Sequence, residues 1–116
     1  MNYRANRLAE VLKKELSDLF RKEVKDPRIN FLTITDVEVS GDLSVAKIYV
    51  STLQEKNDPA LMMEGLEKAV GYLRKELGQR IEIRHIPELR FIYDQSIERG
   101  QRIHNLLNEI KGEEND

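Results

Sequence analysis

The first part of the chain alternates apolar and charged positions with the period of an α-helix. Apolar residues recur three or four positions apart between Arg4 and Lys25, which places them on one helical face. Asp26 and Pro27 follow, and a residue that precedes proline is disfavoured in the helical region. The pattern therefore predicts a first helix from Arg4 to Lys25. Its core-facing residues are predicted to be Ala5, Leu8, Leu12, Leu16, Leu19, Phe20 and Val24.

Two strands joined by a tight turn are predicted next. The stretch from Phe31 to Val39 is rich in β-branched and aromatic residues, but its buried positions change phase near Thr35 and Asp36. A β-bulge at that point would restore one continuous buried face. The Ser-Gly-Asp turn at 40–42 then leads into a second, alternating strand that completes a hairpin. The buried positions of the second strand are predicted to be Ala46, Ile48 and Val50.

A helix with a glycine in its middle is predicted after the hairpin. Asp58 and Pro59 form a helix start, because aspartate caps free N–H groups and proline fits the first helical position. Gly78 is suited to a left-handed cap at the other end. Gly71 lies inside the helix, where glycine costs about 1 kcal/mol relative to alanine, so it indicates a bend or a close approach to the backbone. The alternative is a slightly weak amphipathic helix with a solvated face.

The rest of the chain predicts one more strand and one more helix. Ile81–Tyr93 is the third strand, and Pro87 places it at a sheet edge or a bulge because proline cannot donate to a ladder. A last helix ends at Gly112, and residues 113–116 form a short acidic tail that is expected to be disordered. The order α-β-β-α-β-α predicts one α+β domain over residues 1–112, with a three-stranded sheet and helices packed on one face.

Charge is unevenly distributed along the chain. The formal net charge is −2, yet residues 1–28 hold eight basic against five acidic residues, and residues 68–90 hold six against three. Segregated cations are the electrostatic footprint of nucleic-acid binding, although a charged helix face is often only solvated. RNA or another acidic surface is therefore the class of partner to expect.

Motifs of catalysis and metal binding are missing from the sequence. It contains no phosphate loop of the GxxxxGK[ST] type and no GxGxxG, HExxH or GxSxG motif. There is no cysteine, and His85 and His104 lie in different predicted elements, so no metal or cofactor is expected. A paired acid and base brought together by folding stays open, because spatial proximity does not show in a sequence.

No segment has the character of a signal sequence or a membrane span. Met1 to Glu10 is polar and charged, and no run approaches the roughly 18 apolar residues that a membrane helix needs. We therefore expect a cytoplasmic protein with no membrane partner.

The stretch from Pro59 to Phe91 has the helix, glycine, helix and strand order of a KH domain core, although the GxxG clamp is absent. More specifically, the chain resembles the ribosome-binding factor A family, bacterial assembly factors of the small ribosomal subunit. The matching segments are EVKDPR at 23–28, TITDVEV at 33–39, GDLSVAKIY at 41–49, RKELG at 74–78, RHIPELRF at 84–91 and DQSIERGQR at 94–102.

The resemblance implies a type II KH-like fold in which an Ala-x-Gly bend, here Ala69 to Gly71, replaces the usual clamp. It also implies binding to free 30S subunits and 16S rRNA and promotion of late maturation, including 16S rRNA 5′-end processing, especially in the cold. Catalysis, a cofactor and a small-molecule substrate are not expected, and we expect a monomer. The candidate RNA-binding residues are Lys68, Ala69, Gly71, Arg74, Lys75, Arg80, Arg84 and Arg90, with Arg4, Arg7, Lys13, Lys14, Arg21, Lys22, Lys25 and Arg28 as a second contact line.

Two other hypotheses stay open at this point. The first is a protein-interaction module whose bent helix docks a partner protein. The second is a small hydrolase with dispersed acidic residues, which would need two or three carboxylates in one pocket.

Overall fold

The computed structural model describes residues 2–22, 24, 27–29, 32–52 and 58–95. The predicted last helix and the acidic tail lie outside the described residues. Within them the chain has the order α-β-β-α-β, with a short 3₁₀ turn between the first helix and the first strand. The elements are α1 (Tyr3–Lys22), the 3₁₀ turn (Pro27–Ile29), β1 (Leu32–Val39), β2 (Val45–Thr52), α2 (Pro59–Arg80) and β3 (Glu88–Tyr93).

The three strands form one sheet in the order β1-β2-β3. β1 and β2 are antiparallel, as expected of a hairpin, and β2 and β3 are parallel with α2 as the crossover between them. The register of the hairpin shifts between Ile34 and Asp36, which confirms the predicted bulge. β3 is an edge strand, which agrees with the position expected from Pro87.

Both helices pack on the same face of this sheet. The inward-facing residues of all three strands and of both helices belong to one apolar core, whereas Lys47 of β2 points to the other face and is exposed. The predicted α+β class and the one-sided helix layer are confirmed. Fully buried members of the core include Leu12, Leu16 and Leu19 of α1, Ala46, Ile48 and Val50 of β2, and Leu66, Leu73 and Leu77 of α2.

Polar side chains cap the starts of both helices. The carboxylate of Asp58 accepts a 2.9 Å hydrogen bond from the N–H of Ala60, and Pro59 occupies the first turn, as predicted. The cap at the start of α1 was not predicted from the sequence. There the side-chain oxygen of Asn2 accepts a 3.0 Å hydrogen bond from the N–H of Ala5.

The helix ends differ from the predictions. α1 ends at Lys22 and Val24 is no longer helical; its N–H donates to the carbonyl of Leu19, a closing bond typical of helix C-termini. The left-handed cap predicted at Gly78 is wrong, because α2 continues to Arg80 and no described glycine has a positive φ. The last turn of α2 is held by ion pairs between Arg80 and α1, which a local sequence signal does not reveal.

Helix α2 continues without a break through Ala69–Gly71, where the sequence predicts a bend. The glycine penalty is only about 1 kcal/mol, and a long helix that buries five of its residues can absorb it. Gly71 lies on the exposed side, where a Cβ atom would meet nothing within 4 Å.

The third strand is shorter than predicted. It begins at Glu88 instead of Ile81, and the N–H of Glu88 donates to the carbonyl of Ser44, just before β2 begins. Because β3 pairs in parallel with β2, it has no partner backbone before that point. The segment 81–87 is therefore a connection between α2 and the sheet.

Candidate nucleic-acid interface

A line of cations runs along the outward face of α1. Arg7, Lys14 and Arg21 are exposed and seven residues apart, and seven residues complete nearly two helical turns. They therefore lie on one face, about 10.5 Å apart along the helix axis. The buried residues of α1 occupy the opposite face, so these cations point away from the sheet.

Six of the predicted site cations make no ion pair with any residue in the described part of the chain. Their side chains are exposed, and each retains its full hydrogen-bonding capacity for an anionic partner. The six are Arg4, Arg7, Lys13, Lys14, Lys75 and Arg84.

Four other predicted site cations form local ion pairs at the surface. Arg21 and Lys22 pair with Asp18 at 3.1 Å each, whereas Lys68 pairs with an acid one helical turn away and Arg90 with a strand neighbour. Exposed pairs of this kind contribute about 0–1 kcal/mol, so a phosphate can compete for these side chains.

Arg80 makes contacts within the protein that were not predicted from the sequence. Its Nη1 donates to Asp18 at 2.9 Å and to Glu15 at 3.3 Å, and only 23% of its side chain is exposed. These interactions connect α2 to α1. Hydrogen bonds from Arg80, and then from Lys22 and Arg21, hold the pKa of Asp18 well below its usual range. Arg80 therefore helps to hold α2 against α1.

Arg74 also makes a structural contact. Its Nη2 donates a 2.9 Å hydrogen bond to the carbonyl of Ile86, and the side chain of Ile86 lies 4.0 Å from where a Cβ of Gly78 would be. The hydrogen bond from Arg74 holds the 81–87 connection alongside α2. The exposed guanidinium of Arg74 still has further donors.

The outward face of α2 carries the other predicted contacts. Gly71 is exposed with open space around it, and Lys68 and Lys75 flank it one turn away on each side. Ala69 is half-buried and packs against the core, so its side chain faces inward. Tyr72 is 43% exposed on this face, and an aromatic ring among lysines suits base stacking. Tyr72 was not among the predicted contacts, although its position between the lysines is visible in the sequence.

Two residues of the second contact line cannot be placed on this surface. Lys25 lies outside the described residues, and only the backbone of Arg28 is described. Arg90 of β3 lies on the open face of the sheet, opposite the helix layer. The tertiary structure places the remaining cations in an outward line on α1, a group on α2, and Arg4 and Arg84. These last two line the same groove between α1, the hairpin turn and the connection to β3.

Carboxylates gather around Tyr49 on the open face of the sheet. The hydroxyl of Tyr49 donates to Glu38 at 3.3 Å, and the hydroxyl of Thr35 donates to Asp94 at 2.7 Å. Burial, followed by the charges of Glu38, Asp36 and Asp94, raises the pKa of Tyr49. These acids therefore have partners within the sheet, and no group of three or more His, Cys, Asp or Glu among the described residues could hold a metal ion. None of the described helices is long and apolar enough to cross a membrane.

The fold and the surface define a class of protein. The described part of the chain is a KH-like α+β domain with a layer of two helices, whose outward faces carry cations that have no ion-pair partner among the same residues. Comparison with known proteins identifies the class further, since the model of the ribosome-binding factor A family matches residues 4–107. The chain belongs to the ribosome-binding factor A family.

Individual relatives agree with this assignment. Ribosome-binding factor A of Halothermothrix orenii is 53% identical over 111 residues, which cover 96% of this chain and 91% of that protein. The crystal structure of ribosome-binding factor A from Thermus thermophilus is 28% identical with a TM-score of 0.70, over 79% of this chain and 97% of the other. Coordinates of the Thermus thermophilus protein fitted into a cryo-EM map of its 30S complex are 27% identical with a TM-score of 0.59, over 83% and 97% of the two chains.

Proposed function

We propose that this protein binds the free 30S ribosomal subunit through contacts to 16S rRNA and promotes a late step of its maturation without catalysing a reaction. The observation that carries the proposal is the set of cations on the outward faces of α1 and α2 that have no ion-pair partner in the described part of the chain. Family membership and the 30S complex of the Thermus thermophilus relative support it.

The charge balance of α1 explains how an acidic protein can present a cationic surface. The described helix holds six basic and three acidic residues. Two of the acids, Glu15 and Asp18, accept hydrogen bonds from Arg80, and this leaves Glu10 as the remaining acid of α1. The ion pairs with Arg80 thus compensate the negative charges of these two acids at the contact between the helices. The outward cations of α1 stay available for phosphates.

The second contact surface is the outward face of α2. A residue without a side chain at position 71 lets a phosphate or sugar approach the helix backbone, and Lys68, Tyr72 and Lys75 surround that point. Both helices lie on the same side of the sheet, so one RNA surface can contact both of them.

Cosedimentation of the full chain with purified 30S subunits over a salt series tests the proposal. Each phosphate contact makes the logarithm of the affinity fall with the logarithm of the salt concentration, with a slope of about 0.7–0.9 per contact. Reversal of charge in a double variant, Arg7→Glu with Lys14→Glu, should lower the affinity and reduce the slope. Lys75→Glu should do the same for the α2 surface.

Lys47→Glu is the matched control. It changes the charge by the same amount per residue but lies on the opposite face of the sheet, so subunit affinity should stay close to that of the unaltered protein. Equal losses for Lys47 and for the helix variants would contradict an interface on the helix layer. Affinity that is insensitive to both salt and charge reversal would contradict phosphate contacts altogether, and ribonuclease-resistant binding to a protein would favour an interaction module.

The finer parts of the proposal concern the consequence of binding. We propose that the bound protein promotes 16S rRNA 5′-end processing, that its effect on growth is largest in the cold, and that it acts in the cytoplasm as a monomer. Deletion of its gene should then cause immature 16S rRNA to accumulate at low temperature. The double variant of α1 should fail to restore processing, whereas the Lys47 control should restore it.

A further inference from the structure

A groove lies at one end of the helix layer, away from the outward face of α2. Its walls come from the first turns of α1, from the turn between β1 and β2, and from the connection between α2 and β3, and its volume is about 410 Å³. The residues that line it are Arg4, Leu8, Asp42, Leu43, Glu82, Ile83, Arg84 and His85.

The groove has an apolar floor with ionisable groups around it. Leu8 is nearly buried, Leu43 is half-buried against the core, and Ile83 remains 37% exposed. Leu43 reaches this position with a φ of 63°, a left-handed conformation that is uncommon for a residue other than glycine. The floor therefore offers an apolar surface to a ligand, and Ile83 is its most accessible part.

The charges at the rim have a mixed pattern. Arg4 and Arg84 line the same groove as Asp42 and Glu82, yet neither arginine forms an ion pair in the described part of the structure. Asp42 instead accepts hydrogen bonds from Ser40 and Ser44 at its Oδ1. The arginines thus keep their donors for a ligand, although carboxylates are close by.

The turn that forms one wall is attached to α1. The side-chain nitrogen of Asn2 donates a 2.9 Å hydrogen bond to the carbonyl of Gly41, while the oxygen of the same amide caps α1 through Ala5. One side chain therefore connects two walls of the groove.

Resting on the proposed RNA-binding function, we propose that this groove binds one unstacked nucleotide of single-stranded RNA. The base would lie on the apolar floor, Arg4 and Arg84 would bind its phosphates or stack on its face, and the carboxylates would accept from base N–H groups. Only a ligand with an anionic part, a flat apolar part and N–H donors matches all three features. A peptide of glutamates offers anionic groups to the arginines but no apolar ring to the floor of the groove.

A tryptophan at position 83 provides a direct test, because the chain contains none. In an Ile83→Trp variant of the full chain, a short single-stranded RNA should quench the indole fluorescence by stacking on it. A duplex of the same sequence should not, since its bases are already stacked. A peptide of glutamates serves as the anionic competitor and should leave the fluorescence unchanged.

The contribution of the arginines is measured with labelled RNA and native Ile83. Arg84→Ala should weaken single-stranded RNA binding about tenfold, the loss typical of a hydrogen bond to a charged group. Lys47→Ala is the control for the loss of one positive charge, since this exposed lysine lies on the open face of the sheet, away from the groove and the helix layer, and it should have a much smaller effect. Circular dichroism of each variant confirms that the fold is retained.

Each outcome decides between the possibilities. Equal quenching by duplex RNA or by the glutamate peptide, or equal losses for Arg84 and Lys47, would overturn the nucleotide site. Subunit binding is measured in parallel with the unaltered protein. If it binds 30S subunits but no quenching occurs at position 83, the groove proposal fails and the proposed function stands; if it does not bind 30S subunits, the proposed function fails.

Discussion

Arg80 in the last turn of α2 donates a 2.9 Å hydrogen bond to Asp18 of α1, which lies 62 positions earlier in the chain. The same nitrogen reaches Glu15 at 3.3 Å. Because the arginine is largely shielded, this contact is screened by water less than an ordinary surface pair. The two helices that carry the proposed RNA surface are thus held together by charge as well as by apolar packing.

We expect Arg80→Ala to lower the free energy of unfolding by about 1–2 kcal/mol, because it removes the charge-assisted hydrogen bonds to Asp18 and Glu15. Urea denaturation measures the loss. Lys75→Ala, on an exposed position of the same helix, should change stability by less than about 0.5 kcal/mol. If Arg80→Ala instead left stability unchanged and abolished subunit binding, Arg80 would be an RNA ligand after all.

The acid stability of the protein should depend on Asp18. Its pKa in the folded protein lies below the usual value of 3.8, so its ionised form is favoured by folding. The resulting stabilisation is complete above pH 3.8 and is lost as the pH falls through lower values. Asp18→Asn should therefore lower stability at neutral pH and flatten its dependence on pH in the acid range. Denaturation curves recorded at several pH values test this.

Asp42 should also contribute to the acid stability of the protein, independently of Asp18. Hydrogen bonds from Ser44 and then Ser40 lower its pKa to about 2, so it too stabilises the fold at neutral pH and loses that contribution in acid. Asp42→Asn should further reduce the dependence of the free energy of unfolding on pH in the acid range. Since Asp18 and Asp42 share no hydrogen-bond partner among the described residues, the double variant should show the sum of the two effects, and marked non-additivity would contradict this.

Substitutions of Gly71 can test whether this glycine serves RNA binding at the expense of helix stability. Gly71→Ala should raise the free energy of unfolding by about 0.5–1 kcal/mol, because the helix is continuous there and the added methyl group meets no atom. Thermal unfolding measures the gain. A larger β-branched side chain, Gly71→Val, should weaken 30S binding if the backbone is approached by RNA. Unchanged binding of both variants would mean that the glycine has no role in the interface.

Asn2 combines two contacts that substitutions can separate. Asn2→Ala removes both the cap of α1 and the bond to Gly41, and should cost about 1–2 kcal/mol. Asn2→Asp keeps an acceptor for the helix cap but loses the donor to the turn, so it should recover most of the stability. Denaturant titration compares the two variants. Equal losses would show that the bond to the turn is the larger contribution.

Elements with a strong local pattern could be predicted from the sequence. The periodicity of α1 identified its buried leucines, the change of phase near Thr35 identified the bulge, and Asp58 with Pro59 identified the start of α2. The ends of elements were less predictable because they depend on partners distant in the chain. Gly78 had the local character of a cap, but ion pairs at Arg80 carry the helix past it.

The candidate site, like the fold, could be predicted only in part from the sequence. The sequence by itself determined that cations concentrate in two segments and that the family pattern spans the chain, because composition and motif order need no coordinates. Only the tertiary structure decided which cations are available. It pairs Arg80 with α1, leaves Arg7 and Lys14 outward, and brings Arg4 and Arg84 into one groove. The physical reason is that an ion pair or a groove depends on distances of a few ångströms between residues far apart in the chain, and folding alone sets those distances.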